Sequence, residues 1–338
     1  MRVVTAHRLL FAVWAALATV MVVRARLAPA IAPRRASVDV TDVIPSGAAL
    51  LVTADLLAWR RSQLGRSIFG ATPLGEVERA CAGDPTGAAR AVAFAVPSRA
   101  LARPDAELEL GLAATGDFDA AAVADCATAI VRLHGGDPVR ATLGSFVAVR
   151  DRDGASEGEV AVRDGGPVLL SGGRYLRDMV DTTEGQTPSL RSEGRHHALR
   201  EAVGVDAALV ATWIAPAEGD ALVEAITDAP ADELDHVRAV AARLRLAPRL
   251  DLRVLLWCDA EAPCRDLARS LDARLRDASA PVAQAWLGFD PGRRARVTAD
   301  GDRVTLAVTL EPDEAQRLVE LGLRAWSPRG ADGAAQQP

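Results

Sequence analysis

The sequence predicts an α+β fold made of a duplicated unit: a mixed or mostly antiparallel sheet with helices packed on one face, preceded by one N-terminal hydrophobic helix. Two observations predict the sheet. Short strand-like runs alternate with amphipathic segments from residue 41 onward, and the strands outnumber the helices, with frequent hairpin connections. The duplication is predicted by a third observation, which is that the same succession of patterns occurs twice along the chain.

The first half of the body covers residues 41–204. Its strand patterns lie at Ala48–Asp55, Ala89–Pro97, Glu107–Gly116, Ser145–Asp151, Glu159–Asp164 and Pro167–Gly173. The clearest helix follows the third of these strands, in the segment DFDAAAVADCATAIVRLHGG, where Asp117 or Asp119 can cap the first turn and the pair of glycines ends the last. Further helical stretches follow the sixth strand.

The second half, residues 205–326, begins in the same order. Its strand patterns lie at Ala207–Ile214, Val237–Leu244 and Arg249–Trp257. A helix follows that carries Cys264 where the first half carries Cys126. A hairpin turning on Gly301 and a last helix starting at Pro312 complete the half, and the composition of residues 327–338 is typical of a disordered tail.

Residues 1–26 have the layout of a signal or membrane anchor, and residues 27–40 that of a linker. A basic start precedes the uncharged run Leu9–Val23, whose 15 residues fall short of the roughly 20 that a spanning helix prefers. Ala28-Pro29-Ala30 offers a cleavage site, whereas Arg24 and Arg26 suit a retained anchor. These arginines also favour a cytoplasmic body by the positive-inside rule, but we favour export because of the signal-like layout and the cysteines. The remaining alternative is a buried helix of a soluble domain.

Four cysteines, Cys81, Cys126, Cys258 and Cys264, are candidates for disulfides in an exported chain. Three pairings are possible. We favour Cys81 with Cys126 and Cys258 with Cys264, because each half then has its own crosslink and the CDAEAPC loop is short enough to close on itself. The alternative is a set of buried thiols in a cytoplasmic protein.

Charge and composition exclude some classes of partner. The net charge of −6, with arginines interspersed among acidic residues, argues against nucleic acid, and the aromatic content of 4% leaves few stacking surfaces. Nucleophile elbows, phosphate-binding loops and metalloprotease motifs are missing from the sequence. We therefore assign no catalytic, cofactor-binding or metal residue, and interpret the adjacent His196 and His197 as solvated surface residues.

The segments DVIPSGAALLVTADLLAWRRSQLGRSIFG, GDFDAAAV and PVLLSGGRYLRDMV resemble a group of exported bacterial proteins of unknown function. The resemblance covers about half of the chain and implies an extracytoplasmic α+β protein without transferring any functional residue. We therefore expect an envelope protein, held at the inner membrane by its N-terminal helix and facing the periplasm, or secreted there if the signal is cleaved. Its expected role is non-catalytic binding or structure. The alternatives are a hydrolase with an unrecognised site and a single-pass membrane protein that faces the cytoplasm.

Overall fold

The structure, a computed structural model, describes residues 39–66, 81, 87–101, 109–152, 158–216, 235–278, 284 and 287–326. The hydrophobic segment predicted at the N-terminus and the predicted tail lie outside these residues. Among the helices that the structure describes, none has both the length and the hydropathy needed to cross a bilayer.

The described elements form one antiparallel sheet of 12 strands with helices packed against it. The strands are β1 (Ala48–Asp55), β2 (Ala89–Pro97), β3 (Gly111–Gly116), β4 (Pro138–Leu143), β5 (Phe146–Asp151), β6 (Glu159–Val162), β7 (Val168–Ser171), β8 (Leu209–Ile214), β9 (Val237–Arg245), β10 (Leu250–Cys258), β11 (Ala295–Asp300) and β12 (Arg303–Leu310). The helices are α1 (Leu56–Arg61), α2 (Ser98–Leu101), α3 (Ala120–Leu133), α4 (Gly173–Thr183), α5 (Gly194–Val203), α6 (Glu261–Ala278), α7 (Pro291–Arg294) and α8 (Pro312–Trp326), with 3-10 turns at Val40–Val43 and Leu190–Ser192.

The limits of α3 follow directly from its capping residues. The Asp119 carboxylate accepts hydrogen bonds from the backbone N–H groups of Ala121 and Ala122, as expected of an N-cap. At the other end Gly135 has a φ of 81°, a left-handed conformation that glycine adopts without strain, and its N–H bonds the Arg132 carbonyl. Both ends therefore lie close to where the sequence predicts them.

The strand order is β11-β12-β10-β9-β8-β1-β2-β3-β7-β6-β5-β4. In each half, three consecutive strands form a meander (β1–β3 and β8–β10), and a helix follows (α3 and α6). The chain then returns to the sheet, and the last strand of each half (β7 and β12) pairs with the third strand of its meander. Both halves therefore share one continuous sheet with a similar strand path, although four strands return in the first half and two in the second, and this sheet is antiparallel throughout.

The prediction that helices pack on one face is wrong, because helices cover both. On one side, here called face A, α1 and α3 pack against Val52 and Phe94. On the opposite side, face B, α4 packs against Leu51 and its strand neighbours, while α5 covers Val210 and Leu255. The reason lies in the central strands: β1, β2 and β3 are buried on almost every residue, so both of their faces require a cover.

One strand was not predicted, and another begins later in the chain than predicted. The strand β4 was not predicted from the sequence, because its residues PVRATL begin with proline and lie half-buried or exposed at the edge of the sheet, where apolar alternation is weak. The third strand was predicted from Glu107, whereas β3 begins at Gly111, opposite Ala95 of β2.

Candidate binding surface on the open half of the sheet

The second half of the sheet is less covered than the first. Most residues of β10 and β12 are half-exposed on both faces. In the edge strand β11, half-exposed and exposed residues alternate over the first four positions, and the last two residues are exposed. Helix α8 is hydrogen-bonded through Gln316 to Gln63, next to α1, and through Glu314 to Arg294 of α7. Because α1 lies on face A, these bonds tie α8 to that side of the sheet.

Face B of the outer strands carries one row of paired polar residues beyond the apolar patch under α5, as the register of the sheet shows. Starting from Thr53 of β1, the residues paired in turn across β8, β9, β10, β12 and β11 are Val210, Arg243, Arg253, Ala307 and Arg296. Directly paired residues of neighbouring strands share a face. Three arginines therefore stand in one row on face B, with a single alanine between the last two.

The first arginine of the row is held by the protein itself. The Arg243 side chain is 14% exposed, and its guanidinium contacts an Asp251 carboxylate oxygen at 3.3 Å. Its Nε–H is buried and has no hydrogen-bond partner among the described residues. The Arg243 guanidinium also lies under the end of α5, where a Cβ on Gly204 would be 2.8 Å from Nη1. A cation at the C-terminal end of a helix is stabilised by the helix dipole, so Arg243 has a structural explanation.

The other two arginines have no such partner among the residues that the structure describes. Within the described part of the chain, neither Arg253 nor Arg296 makes a hydrogen bond or an ion pair, although Arg253 is half-buried and lies directly opposite Arg243. Like charges directly opposite on one face destabilise a strand pair. By comparison, Arg150 of β5 is paired with Glu159 of β6. The row therefore carries positive charge that the described residues only partly compensate.

Threonines complete the surroundings of the row. Thr305 and Thr309 lie two residues to either side of Ala307 on β12, so their side chains are on the same face as its methyl group. Both are half-exposed. Two guanidiniums and two hydroxyls thus surround one small residue. We call this group of residues the arginine frame; it consists of Arg253, Arg296, Thr305 and Thr309 with Ala307 at its centre.

A shallow groove of about 590 Å³ lies elsewhere, between α6 and β11 on face A. Its walls carry Arg265 and Arg269 together with Asp266 and Asp272. Because Arg269 is already hydrogen-bonded to Asp266 and Arg265 contacts Glu261 at 3.6 Å, the charges of this groove are largely paired. It is therefore a weaker candidate than the arginine frame.

The cysteines lie away from the frame and form two disulfides. Cys81 is bonded to Cys126 of α3, and Cys258 at the end of β10 is bonded to Cys264 of α6, with Cα–Cα distances of 4.5 and 5.7 Å. These are the two pairs that we favour from the sequence. In each half, the helix that follows the third strand of the meander is crosslinked, which fixes that helix against its surroundings. Disulfides of this kind are characteristic of proteins outside the reducing cytoplasm.

The interpretation of the histidines as solvated is wrong for His196. This side chain is 1% exposed, with Nε2 at 2.9 Å from the Ala48 carbonyl and Nδ1 at 2.7 Å from Thr212 Oγ1. Since a carbonyl only accepts, Nε2 carries the proton and Nδ1 accepts from the threonine hydroxyl. Burial lowers the pKa of His196, which keeps the ring neutral. Its neighbour His197 is exposed, as interpreted.

A second polar cluster, which is partly open to solvent, surrounds the buried Tyr175 of α4. Arg99 lies 5.6 Å from the Tyr175 ring centre and bonds Glu109 and Asp178 at 2.7 and 2.6 Å. Burial strongly raises the pKa of Tyr175, so its hydroxyl keeps its proton. The pairing of Arg99 with two carboxylates is typical of a structural ion-pair network. In the part of the chain that the structure describes, no group of three His, Cys, Asp or Glu side chains could hold a metal ion.

The comparisons with known proteins describe the fold alone. No protein-family model and no curated protein matches this chain. A solved structure, crystal form I of the protein TP0453, is similar with a TM-score of 0.50 at 14% identity, covering 86% of this chain and 99% of that one. At this identity the similarity concerns the path of the backbone, and no residue role follows from it.

Proposed function

We propose that this chain is an exported envelope protein with a non-catalytic binding role, whose contact surface is the open half of its sheet. The observation that carries the proposal is the pair of disulfides, Cys81–Cys126 and Cys258–Cys264. With them the described residues include no free cysteine. Such complete pairing is expected of a protein that folds in an oxidising compartment, whereas glutathione and thioredoxin keep cytoplasmic thiols reduced.

The N-terminal segment supports the same address. The run Leu9–Val23 with the basic residues ahead of it has the layout of a signal or an anchor, and export of the body brings its cysteines into the periplasm. We propose that the segment is retained as an anchor, because Arg24 and Arg26 follow it directly.

The arrangement of the sheet supports a binding role. Its central strands are covered on both faces, whereas face B of β12, β11 and the part of β10 around Arg253 is half-exposed or exposed and carries arginines and threonines. Polar surfaces on a rigid sheet keep their geometry without a partner, which reduces the entropy lost on binding. The rigidity comes from the long strand pairs, such as the eight-residue register between β10 and β12.

We further propose that the two halves are copies of one unit. The similar strand path on both sides of the β1–β8 pair supports this, together with the equivalent positions of Cys126 in α3 and Cys264 in α6. The first half has two additional strands in its returning meander. On this view the covered half gives the sheet its stability and the open half provides the contact surface.

The export proposal is tested by fusing reporters to the C-terminus of the full chain. A phosphatase that needs oxidising conditions is expected to be active, and a fluorescent protein that folds only in the cytoplasm is expected to stay dark. As a matched control, the same fusions are made to a chain lacking residues 1–26, for which the two signals should be exchanged. Fluorescence of the full-length fusion without phosphatase activity would show a cytoplasmic body and would overturn the proposal.

A further inference from the structure

We infer that the arginine frame on face B binds a phosphate group, held between Arg253 and Arg296 above Ala307. This inference rests on the binding role proposed above and names the chemistry of its ligand. It is carried by the cross-strand register, because both arginines are paired to the same alanine of β12.

The spacing of the frame suits a small oxyanion. Neighbouring strands lie about 4.8 Å apart, so the Cα atoms of Arg253 and Arg296 are about 10 Å apart on either side of Ala307. Two arginine side chains can close that gap from both sides, since only a methyl group stands between them. Thr305 and Thr309, each about 7 Å along β12 from Ala307, close the remaining two sides with hydroxyl donors.

The charge of the frame calls for an anion. The row and its neighbour Asp251 hold three positive charges and one negative charge, a local excess of two positive charges in a chain whose net charge is −6. Asp251 is already engaged by Arg243 at 3.3 Å. A bound anion would relieve the repulsion between the opposed Arg243 and Arg253.

The arrangement of donors favours phosphate over a carboxylate. Guanidinium groups present paired N–H donors that match the oxygens of phosphate in a bidentate manner, and hydroxyls can serve the oxygens that remain. A carboxylate has two oxygens in one plane, so it can be reached by both arginines but leaves the threonines unused. The four side chains together offer enough donors for the several oxygens of a phosphate group.

The test uses the purified, oxidised full chain and inorganic phosphate, followed by phosphorus NMR line broadening and calorimetric titration. We expect saturable binding that weakens with added potassium chloride, because the site is partly open to solvent. Acetate at the same ionic strength should bind more weakly. The variants R253Q and R296Q should each lose about tenfold or more in affinity, as expected for a charge-assisted hydrogen bond.

Arg90 of β2 provides the matched control. It is exposed on the same sheet, and R90Q removes the same charge at a distance from the frame. Unchanged affinity in R90Q with loss in R253Q and R296Q supports the site. Equal losses in all three variants, or no saturable binding in the folded wild-type chain, would overturn it. The titration does not depend on where the protein lies in the cell. Failure to bind phosphate would therefore leave the export proposal standing, and a cytoplasmic location would not contradict measured phosphate binding.

The source of the phosphate is distinguished with vesicles. If the ligand is a lipid headgroup, more protein should float with phosphatidic acid vesicles than with phosphatidylcholine vesicles. The R253Q variant should abolish this difference. Binding of inorganic phosphate without this difference identifies a soluble phosphate compound. Since residues 1–26 can bind vesicles by themselves, the comparison is between wild type and R253Q on the same vesicles.

A second variant tests the frame without any added ligand. In A307E a carboxylate stands between the two arginines and replaces the anion, so we expect a higher melting temperature than in A307Q and no phosphate binding. At an ordinary exposed strand position, these two variants would have equal stability. Equal melting temperatures, with phosphate binding retained in A307E, would contradict the inference.

Discussion

Replacing His196 by leucine tests how α5 is fixed to the junction of the two halves. The imidazole donates from Nε2 to the Ala48 carbonyl in β1 and accepts at Nδ1 from the Thr212 hydroxyl in β8. Both bonds are buried, with the ring 1% exposed. Leucine keeps the approximate volume of the side chain and removes both bonds, so the variant isolates the polar contribution.

The expected magnitude follows from the two partners that lose their bonds. Each buried polar group left unsatisfied costs about 1–3 kcal/mol, so for two groups the free energy of unfolding should fall by about 2–6 kcal/mol. Urea unfolding followed by tryptophan fluorescence measures this change. Adding T212V to H196L should recover part of the loss, because the unsatisfied hydroxyl is then gone, whereas H197L at the exposed neighbour should stay within about 0.5 kcal/mol of wild type.

The same histidine predicts a pH dependence. Its pKa in the folded protein is below the ordinary value of 6.5, so the unfolded chain binds a proton there first as the pH falls. The wild type should therefore lose stability as the pH drops below about 6.5, by at most about 1.4 kcal/mol per pH unit from this group. H196L lacks that contribution and should have a flatter profile between pH 7 and pH 5. A loss below about 1 kcal/mol in H196L at pH 7, or identical pH profiles, would refute this reasoning.

Two further predictions concern the crosslinks and the packing of β3. The disulfides join cysteines separated by 45 and 6 residues. Loop-closure entropy therefore predicts that C126S lowers the free energy of unfolding by about 4 kcal/mol and C264S by about 2 kcal/mol. A larger loss of stability in C264S than in C126S, measured by thermal unfolding, would contradict this entropic explanation. In G111A, the new Cβ would lie 2.5 Å from Cε1 of Tyr175, so we expect a loss of about 1–3 kcal/mol in urea, against no loss in G158A, where a Cβ meets nothing within 4 Å.

Much of the element order could be predicted from the sequence because the pattern of apolar residues in a strand or helix reflects which of its faces are buried. The runs Ala48–Asp55 and Ala89–Pro97 are buried along almost their whole length and have the predicted bounds. The same burial on both faces could have indicated that helices cover both sides, which the one-sided prediction overlooked. Strand β4 gave no comparable signal, since its edge position leaves most of its side chains outside the core.

The arginine frame could not be found from the sequence in the same way. Alternation in RLDLRVLLW places Arg253 on the polar face of β10, but nothing local shows which residue of β11 stands two strands away. That information lies in the register, which pairs Arg253 and Arg296 with one alanine. Similarly, His196 looks like an exposed helix residue until the contacts of α5 with β8 and β1 are known.

The most direct test of the central claim is the count of free thiols in the protein as the cell makes it. Cells are lysed in acid, and the denatured full chain is alkylated with and without prior reduction, then weighed by mass spectrometry. An exported, crosslinked protein should take up no label before reduction and four labels after it, matching its four cysteines. Four labels without reduction would show that the cysteines stay reduced in the cell and would contradict the claim.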